Sequence, residues 1–231
     1  MSQKGVLLLS PTPPDPELVQ LFEREGVKLL HRPVIGFEFL TPSVRWEGVT
    51  HLLFTSKTAV KGIERLGEKW REIPAIAVGK GTAREVEKRG GKVVFTGSGY
   101  GEELIEPVVR LVKEGKLLFP RPEVVATPVA SLLRSRGVEV EEVILYRTRC
   151  RPIPDLSRLL EWEVAVLFSS PSTFNCLFSQ IQIPPHWELV AIGRKTADSI
   201  LARLNRPVHL PPTPSLRAGL LTAFQLLKCG G

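Results

Sequence analysis

The stretches FTSKTA (54–59) and AVGKGTA (77–83) decide the fold of this chain, because closely similar stretches recur later in the sequence. The later pair is FSSPST (168–173) and AIGRKTA (191–197). The glycine follows the phenylalanine at the same distance in both copies: 79 − 54 = 25 residues from Phe54 to Gly79, and 193 − 168 = 25 residues from Phe168 to Gly193. Two long copies with one internal spacing predict two similar lobes rather than a solenoid.

Both copies lie in a wider alternation of short apolar runs and helical periodicity. The predicted strands are 5–10, 51–56, 73–79, 92–97, 116–120, 164–170, 188–193 and 208–210, and the predicted helices include 15–26, 101–113, 123–136, 171–181 and 215–228. Continuous apolar strands alternating with helices indicate parallel sheets covered on both faces. Two further runs, 34–40 and 140–149, read as extended passages between lobes, lying side by side. The predicted fold class is α/β with two parallel-sheet lobes.

Composition limits the classes of protein. With 231 residues, 43% of them hydrophobic, the chain can bury a substantial core. Its apolar runs are far shorter than the ~20 residues of a membrane helix, and the first is too short for a signal peptide. We therefore expect a cytoplasmic protein that does not bind a membrane. The three scattered cysteines and four isolated histidines imply neither a metal site nor a disulfide framework.

The charge balance points to an anionic partner. A formal net charge of +7 suits nucleic acid or a small molecule with several carboxylates or phosphates, although it is also compatible with general solubility. The basic residues are dispersed among acids, and only 7% of residues are aromatic and could stack on bases. We therefore favour a small polyanion and expect no nucleic-acid partner.

The repeat places hydroxyl and glycine residues where a parallel-sheet protein binds ligands, outside the carboxyl ends of strands. Small hydroxyl groups and helix N-terminal amides can donate to anions, and glycine allows a ligand to approach the backbone. The candidate substrate-binding residues are Thr55, Ser56, Lys57, Gly79, Lys80, Thr82, Ser169, Ser170, Ser172, Gly193, Arg194 and Thr196. Helix capping alone would also explain the serines and threonines, but the matched pair of loops favours binding.

Common catalytic motifs are missing from the sequence. We find no G-x-S-x-G, no P-loop and no G-x-G-x-x-G that opens a helix after a strand. The glycine-rich stretch 97–101 is more typical of a flexible strand-to-helix loop than of a nucleotide cradle.

The ordered set of motifs resembles the uroporphyrinogen-III synthase family. The resemblance rests on F-T-S-x-x-A-V (54–60), A-V-G-x-x-T-A (77–83), a passage ending in Tyr146-Arg147-Thr148, F-S-S-P-S (168–172), A-I-G-x-x-T-A (191–197) and P-P-T-P (211–214). Each motif is weak alone, but their order and spacing extend over nearly the whole chain. The resemblance is therefore specific.

The resemblance implies an architecture and an activity. It implies a discontinuous lobe of residues 1–33 and 150–231, a second lobe of residues 34–149, linkers near 32–40 and 143–151, and a ligand cleft between the lobes. The implied substrate is hydroxymethylbilane, which carries eight carboxylates. Loss of its terminal hydroxyl as water gives an azafulvene, and attack by the last ring gives a spiro intermediate that reopens and recloses with ring D inverted. The implied enzyme is a monomeric lyase of haem biosynthesis that needs no cofactor.

The resemblance also implies a catalytic residue. Tyr146 matches the linker tyrosine implicated in assisting departure of the hydroxyl, and a phenol with a pKa near ~10 stays protonated at neutral pH. Packing at the lobe junction is the alternative role for this side chain.

The sequence departs from the family pattern where arginines are usual. Ser10-Pro11 follows the first strand, and Pro122 and Ala126 stand near the places of a glycine and an arginine; Arg121 and Arg134 are possible substitutes. The departures leave open a binding protein without turnover, and the charge leaves open a nucleic-acid binder. We weight the lyase above both.

Overall fold

The computed structural model of the chain describes residues 3–125 and 127–229, so Ala126 lies outside the described residues. The strands are β1 (Lys4–Leu8), β2 (Lys28–His31), β3 (Ile35–Phe39), β4 (Val49–Phe54), β5 (Ala75–Ala77), β6 (Val93–Thr96), β7 (Lys116–Pro122), β8 (Glu139–Cys150), β9 (Glu163–Phe168) and β10 (Glu188–Ala191). The α-helices are α1 (Pro16–Arg24), α2 (Lys57–Ile63), α3 (Lys80–Lys88), α4 (Ile105–Leu111), α5 (Val129–Arg134), α6 (Pro171–Phe178), α7 (Arg194–Leu204) and α8 (Leu216–Cys229). Strands and helices alternate along the chain, as the α/β prediction requires.

The chain divides into two compact units. The discontinuous unit contains the described residues up to Gly36 and those from Arg149 onward, and the continuous unit is Phe37–Thr148. Each unit has its own sheet and its own core. Each also contains one copy of the repeat.

The discontinuous unit is built on a four-stranded sheet in the order β10-β9-β1-β2, with all pairs parallel. Its two central strands are buried along almost their whole length, because helices cover both faces. On one face, α1 and α8 bury Phe22 and Leu220 against Leu8 and Leu167. Gly219 lies where an added Cβ would come within 2.8 Å of Leu167, so α8 packs closely on the sheet.

The continuous unit is built on a six-stranded sheet in the order β3-β8-β7-β4-β5-β6. The β8-β7-β4-β5-β6 pairs are parallel. Successive side chains of β4 point to opposite faces of the sheet, as in any strand, and therefore pack in different hydrophobic clusters. Leu53 joins the cluster with α4 and α5, whereas Leu52 and Phe54 join the cluster with α2 and Trp70. This sheet is therefore also covered on both faces, which confirms the predicted α/β class with mostly parallel sheets.

Several elements differ from the sequence-based expectation, among them a strand, a helix start and a strand pairing. β2 was not predicted, and it pairs with β1 from Gly5 with Lys28 to Leu8 with His31. Helix α5 begins at Val129 instead of residue 123, because Pro128 lacks an amide hydrogen and disfavours helical geometry in the residue before it. The predicted strand 208–210 makes only one isolated bridge, between Val190 and His209.

Candidate active site

The loop after β4 starts helix α2 and touches Tyr146 at the same time. Ser56 has extended backbone geometry (φ −155°, ψ 150°), and its Oγ accepts the Ala59 N–H at 3.0 Å, which caps the helix. The same Oγ lies 2.9 Å from Tyr146 Oη. The neighbouring Thr55 is half-buried and Lys57 is exposed. A predicted binding residue and the predicted catalytic residue are thus in direct contact.

Tyr146 lies on β8 with only 5% of its surface exposed. Its ring packs edge-on against Phe37, with 5.5 Å between ring centroids, and at a tilt against Phe39 at 6.2 Å. Burial raises the pKa of the Tyr146 phenol, and the hydrogen bond with Ser56 acts in the opposite direction. The phenol is therefore protonated at neutral pH, as a proton donor must be.

The loop after β5 lies against its neighbours on both sides. Gly79 caps α3 in extended geometry, and a Cβ added there would stand 3.2 Å from the Cα of Gly99. A Cβ added to Gly81 would stand 3.0 Å from Cε of Lys57. The loops after β4 and β5 and the glycine-rich stretch 97–101 therefore form one continuous edge. The position of stretch 97–101 in this edge was not foreseen from its sequence.

The equivalent loop after β9 has the same helix start with different partners. Ser170 is extended (φ −166°, ψ 162°), and its Oγ accepts the Thr173 N–H at 3.3 Å. Thr173 Oγ1 in turn accepts the Ser170 N–H at 3.2 Å, which completes a capping box. Ser169 is half-buried beside it and Ser172 is exposed.

The loop after β10 is more open than its counterpart after β5. Gly193 caps α7 in extended geometry, and a Cβ added there would meet nothing within 4 Å. Arg194 follows at the first helical position and is exposed, as Lys80 is at the matching place in α3. The two repeats thus place one cation each at corresponding helix starts.

Two predicted binding residues are less accessible than the rest. Thr82 and Thr196 occupy matching positions in α3 and α7, and their residues are only 6% and 4% exposed. Their amides donate to the carbonyls of Gly79 and Gly193 at 3.0 and 3.1 Å, within the first turn of each helix. Packing accounts for both hydroxyl residues more directly than contact with a ligand.

The candidate residues inferred from the sequence do not include the polar residues at the carboxyl ends of β1 and β2. The His31 ring Nε2 lies 2.8 Å from the Ser10 carbonyl oxygen, and the Arg32 amide donates to the Leu8 carbonyl at 2.9 Å. Because β1, β2, β9 and β10 are parallel neighbours, these residues share a sheet edge with Ser170 and Gly193. Recognising 28–31 as a strand would have placed His31 and Arg32 there.

The two candidate substitute arginines are engaged by a carboxylate. Arg121 and Arg134 both pair with Glu142, at 2.6 and 2.9 Å. Arg121 also donates to the carbonyls of Pro122 and Glu123, and Arg134 to that of Val140. Their hydrogen bonds hold the β7–β8 region together, so a structural role explains them without a ligand.

A disulfide joins Cys150 to Cys176, which corrects the inference that no disulfide framework exists. The Cα atoms are 5.2 Å apart although the residues are 26 positions apart in sequence. Cys150 ends β8, four residues after Tyr146, and Cys176 lies on the helix that begins after Ser170. Spacing alone could not show this proximity, because the fold brings the end of β8 to α6.

Within the described ranges, no group of three or more His, Cys, Asp or Glu residues is placed to hold a metal ion. No helix among those residues is both long and apolar enough to cross a membrane.

The chain resembles known proteins in its sequence and in its fold. A family model described as uroporphyrinogen-III synthase HemD matches residues 16–220. The uroporphyrinogen-III synthetase of Helicobacter pylori 26695 has a similar fold, with a TM-score of 0.77 and 19% identity over 97% of this chain and 100% of that one. A mutant uroporphyrinogen III synthase from the extremely thermophilic bacterium Thermus thermophilus matches with a TM-score of 0.63 and 19% identity, over 99% of this chain and 100% of that one. The family match extends over most of the chain and includes both copies of the repeat, so the chain belongs to the uroporphyrinogen-III synthase family.

Proposed function

We propose that this chain closes hydroxymethylbilane to uroporphyrinogen III, with inversion of ring D and loss of water, using Tyr146 as the proton donor. The family is a lyase family of tetrapyrrole biosynthesis, so a tetrapyrrole substrate follows from membership. We further propose that the substrate is hydroxymethylbilane and that the enzyme is cytoplasmic, monomeric and independent of any cofactor.

The observation that carries the proposal is the buried phenol of Tyr146, held 2.9 Å from Ser56 at the carboxyl end of β4. Departure of hydroxide from the bilane is slow unless the oxygen is protonated as its bond to carbon breaks. A phenol that is buried and protonated at neutral pH can supply that proton. The hydroxyl then leaves as water with the bond electrons, and loss of the pyrrole N–H proton from the resulting cation gives the azafulvene and restores the protonated phenol.

The remaining steps need the bilane to be held in a curled conformation. The azafulvene left after water departs is attacked by ring D at its substituted carbon, and the spiro intermediate reopens and recloses with that ring inverted. Holding the reacting ends together can contribute up to ~7–11 kcal/mol through proximity. The enzyme therefore depends on binding geometry more than on reactive side chains.

We assign carboxylate binding to the strand-end loops of each unit. Exposed Lys57, Lys80, Ser172 and Arg194 offer positive charge or a hydroxyl group, and half-buried Gly79 and Gly193 stand at the N-termini of α3 and α7. Thr55, Ser56, Ser169 and Ser170 are half-buried at the same strand ends. These positions support binding of an octacarboxylate better than binding of nucleic acid, because aromatic stacking groups are few.

The test is to give the purified protein freshly made hydroxymethylbilane and to separate the oxidised products by chromatography. Without a catalyst the bilane closes to the type I isomer, in which no ring is inverted. We expect the type III isomer to dominate, and heat-denatured protein to yield type I. Type I product from the native protein as well would overturn the proposed activity.

A further inference from the structure

The Ser56 hydroxyl connects the start of α2 with the Tyr146 phenol. Its Oγ accepts the Ala59 N–H at 3.0 Å and lies 2.9 Å from Tyr146 Oη. A serine hydroxyl has one proton to donate and two lone pairs to accept with. Since the amide occupies one lone pair, the contact with Tyr146 uses either the Ser56 proton or the second lone pair.

The two directions of this hydrogen bond have opposite consequences for an acid. If Tyr146 donates to Ser56, the phenol proton is held by the serine and cannot reach a leaving hydroxyl. If Ser56 donates to Tyr146, the phenol proton is free. Once the phenol has given its proton away, the phenolate can only accept hydrogen bonds, so Ser56 must then be the donor. Only a hydrogen bond donated by Ser56 is compatible both with the phenol before proton transfer and with the phenolate after it.

The rest of Tyr146 is already fixed by other contacts. Its ring packs against Phe37 and Phe39, and its carbonyl accepts the Glu123 N–H at 2.9 Å. These contacts place Oη but leave the hydroxyl free to rotate about its bond to the ring. The Ser56 hydroxyl is suitably placed to set that rotation.

We propose that Ser56 is a positioning residue that donates to Tyr146 Oη, directs the phenol proton toward the substrate and then stabilises the phenolate. This inference rests on the proposed function, because it requires Tyr146 to be the donor. It changes the role assigned to Ser56 from binding a carboxylate to acting through Tyr146.

The other copy of the repeat shows that capping does not require such a tyrosine. Ser170 caps α6 in the same extended geometry, and its reciprocal partner is Thr173. The residue equivalent to Thr173 is Ala59, which has no hydroxyl to return a bond. Ser56 therefore does not need its contact with Tyr146 in order to cap the helix.

The test is a double-mutant cycle with Ser56→Ala and Tyr146→Phe, with kcat and KM for hydroxymethylbilane measured for all four proteins. We expect Ser56→Ala to lower kcat roughly 10- to 100-fold, the size for a hydrogen bond to a charged acceptor, with little change in KM. In the Tyr146→Phe background the same change should have almost no further effect on kcat.

Two further variants separate positioning from capping. Ser56→Thr retains the hydroxyl and should recover most of the kcat. Ser56→Asp still caps the helix but cannot donate at neutral pH, so it should remain impaired. Ser215→Ala is the matched control for a lost cap, because Ser215 accepts the Ala218 N–H at 3.1 Å in α8. It should lower stability without lowering kcat.

The outcomes distinguish the two proposals. Independent, additive losses from the two substitutions, or a Ser56→Ala variant that changes only KM, would overturn positioning and leave the donor role of Tyr146 intact. A Tyr146→Phe enzyme with unchanged kcat would overturn the donor role and the positioning role together.

Discussion

The loops after β4 and β9 begin in the same way and end with different partners. Ser56 and Ser170 have nearly equal backbone angles, and each caps the helix that follows it. Ser170 exchanges its bonds with Thr173 inside its own loop, whereas Ser56 contacts Tyr146, 90 residues away in sequence. A local signal therefore specifies where a helix starts, whereas the chemistry of the loop depends on the side chains that the fold places opposite it.

The glycine loops differ in a related way. Gly79 is packed against Gly99, whereas the space beside Gly193 is open. The repeat therefore has one crowded, tyrosine-linked copy and one open copy. In the open copy, the helix that follows Ser170 carries a disulfide.

The largest expected effect comes from removing the tyrosine hydroxyl that distinguishes the β4 loop. Tyr146→Phe should lower kcat by roughly 100- to 1000-fold, because a positioned general acid contributes on that scale. Stability should change little, since the aromatic contacts with Phe37 and Phe39 remain. Steady-state kinetics with hydroxymethylbilane measures the effect.

Thr222→Val is the control for this change, because it removes a hydroxyl outside the candidate site, where Thr222 Oγ1 donates to the Ala218 carbonyl within α8 at 3.0 Å. Its kcat should stay within about twofold of the wild type. Equal losses in the two variants would remove the special role of Tyr146.

The disulfide should make the stability of the two units respond differently to reduction. All three cysteines belong to the discontinuous unit by sequence. A cross-link that closes a loop of 26 residues stabilises by roughly 3 kcal/mol. Dithiothreitol should therefore lower the free energy of unfolding of the discontinuous unit by about this amount, as measured by hydrogen exchange of β1 and β9 in urea.

Amides of β4 and β7 in the continuous unit serve as the internal control, and their protection should not change on reduction. A double variant, Cys150→Ala with Cys176→Ala, should match the reduced wild type. If the oxidised wild type and this variant had equal stability, the cross-link would have no energetic role.

Adding a methyl group at the two capping glycines should sharpen the contrast between crowded and open loops. Both residues have extended backbones that alanine can adopt, so the loss common to both variants is the modest capping preference of glycine. Gly79→Ala also pushes against the backbone of Gly99, at 3.2 Å, and should cost about 1 kcal/mol more than Gly193→Ala. Chemical denaturation of the two variants gives the difference, and equal losses would contradict the crowding.

The smallest expected effect is a difference in acid sensitivity. His51 precedes Phe54 by three residues, and the equivalent residue before Phe168 is the fully buried Ala165. Burial lowers the pKa of His51, so below its ordinary pKa of about 6.5 the unfolded chain takes up a proton that the folded chain does not. The stability that depends on His51 is therefore complete above that pH, and it falls as the pH drops toward the folded value.

Urea denaturation of the wild type and His51→Gln between about pH 7 and pH 5 measures this effect. The wild type should lose stability more steeply with acid than the variant, because glutamine does not titrate. Parallel pH profiles would show that His51 does not contribute.

Local patterns were enough for much of this structure. The alternation of apolar runs with helical periodicity predicted the α/β class, and the helix predicted near 171–181 begins at Pro171. These features follow from apolar periodicity and capping, which act within a few residues. The order of motifs also led to the family, which the match over residues 16–220 confirms.

Only the tertiary structure decided the contacts that join distant parts of the chain. It placed Ser56 against Tyr146, bonded Cys150 to Cys176, engaged Arg121 and Arg134 with Glu142, and paired β2 with β1. The sequence named several of these residues but not their partners. The physical reason is that a capping serine or a cysteine has the same local preference whatever lies opposite it, whereas its chemistry depends on neighbours that parallel strand pairing brings from elsewhere in the chain.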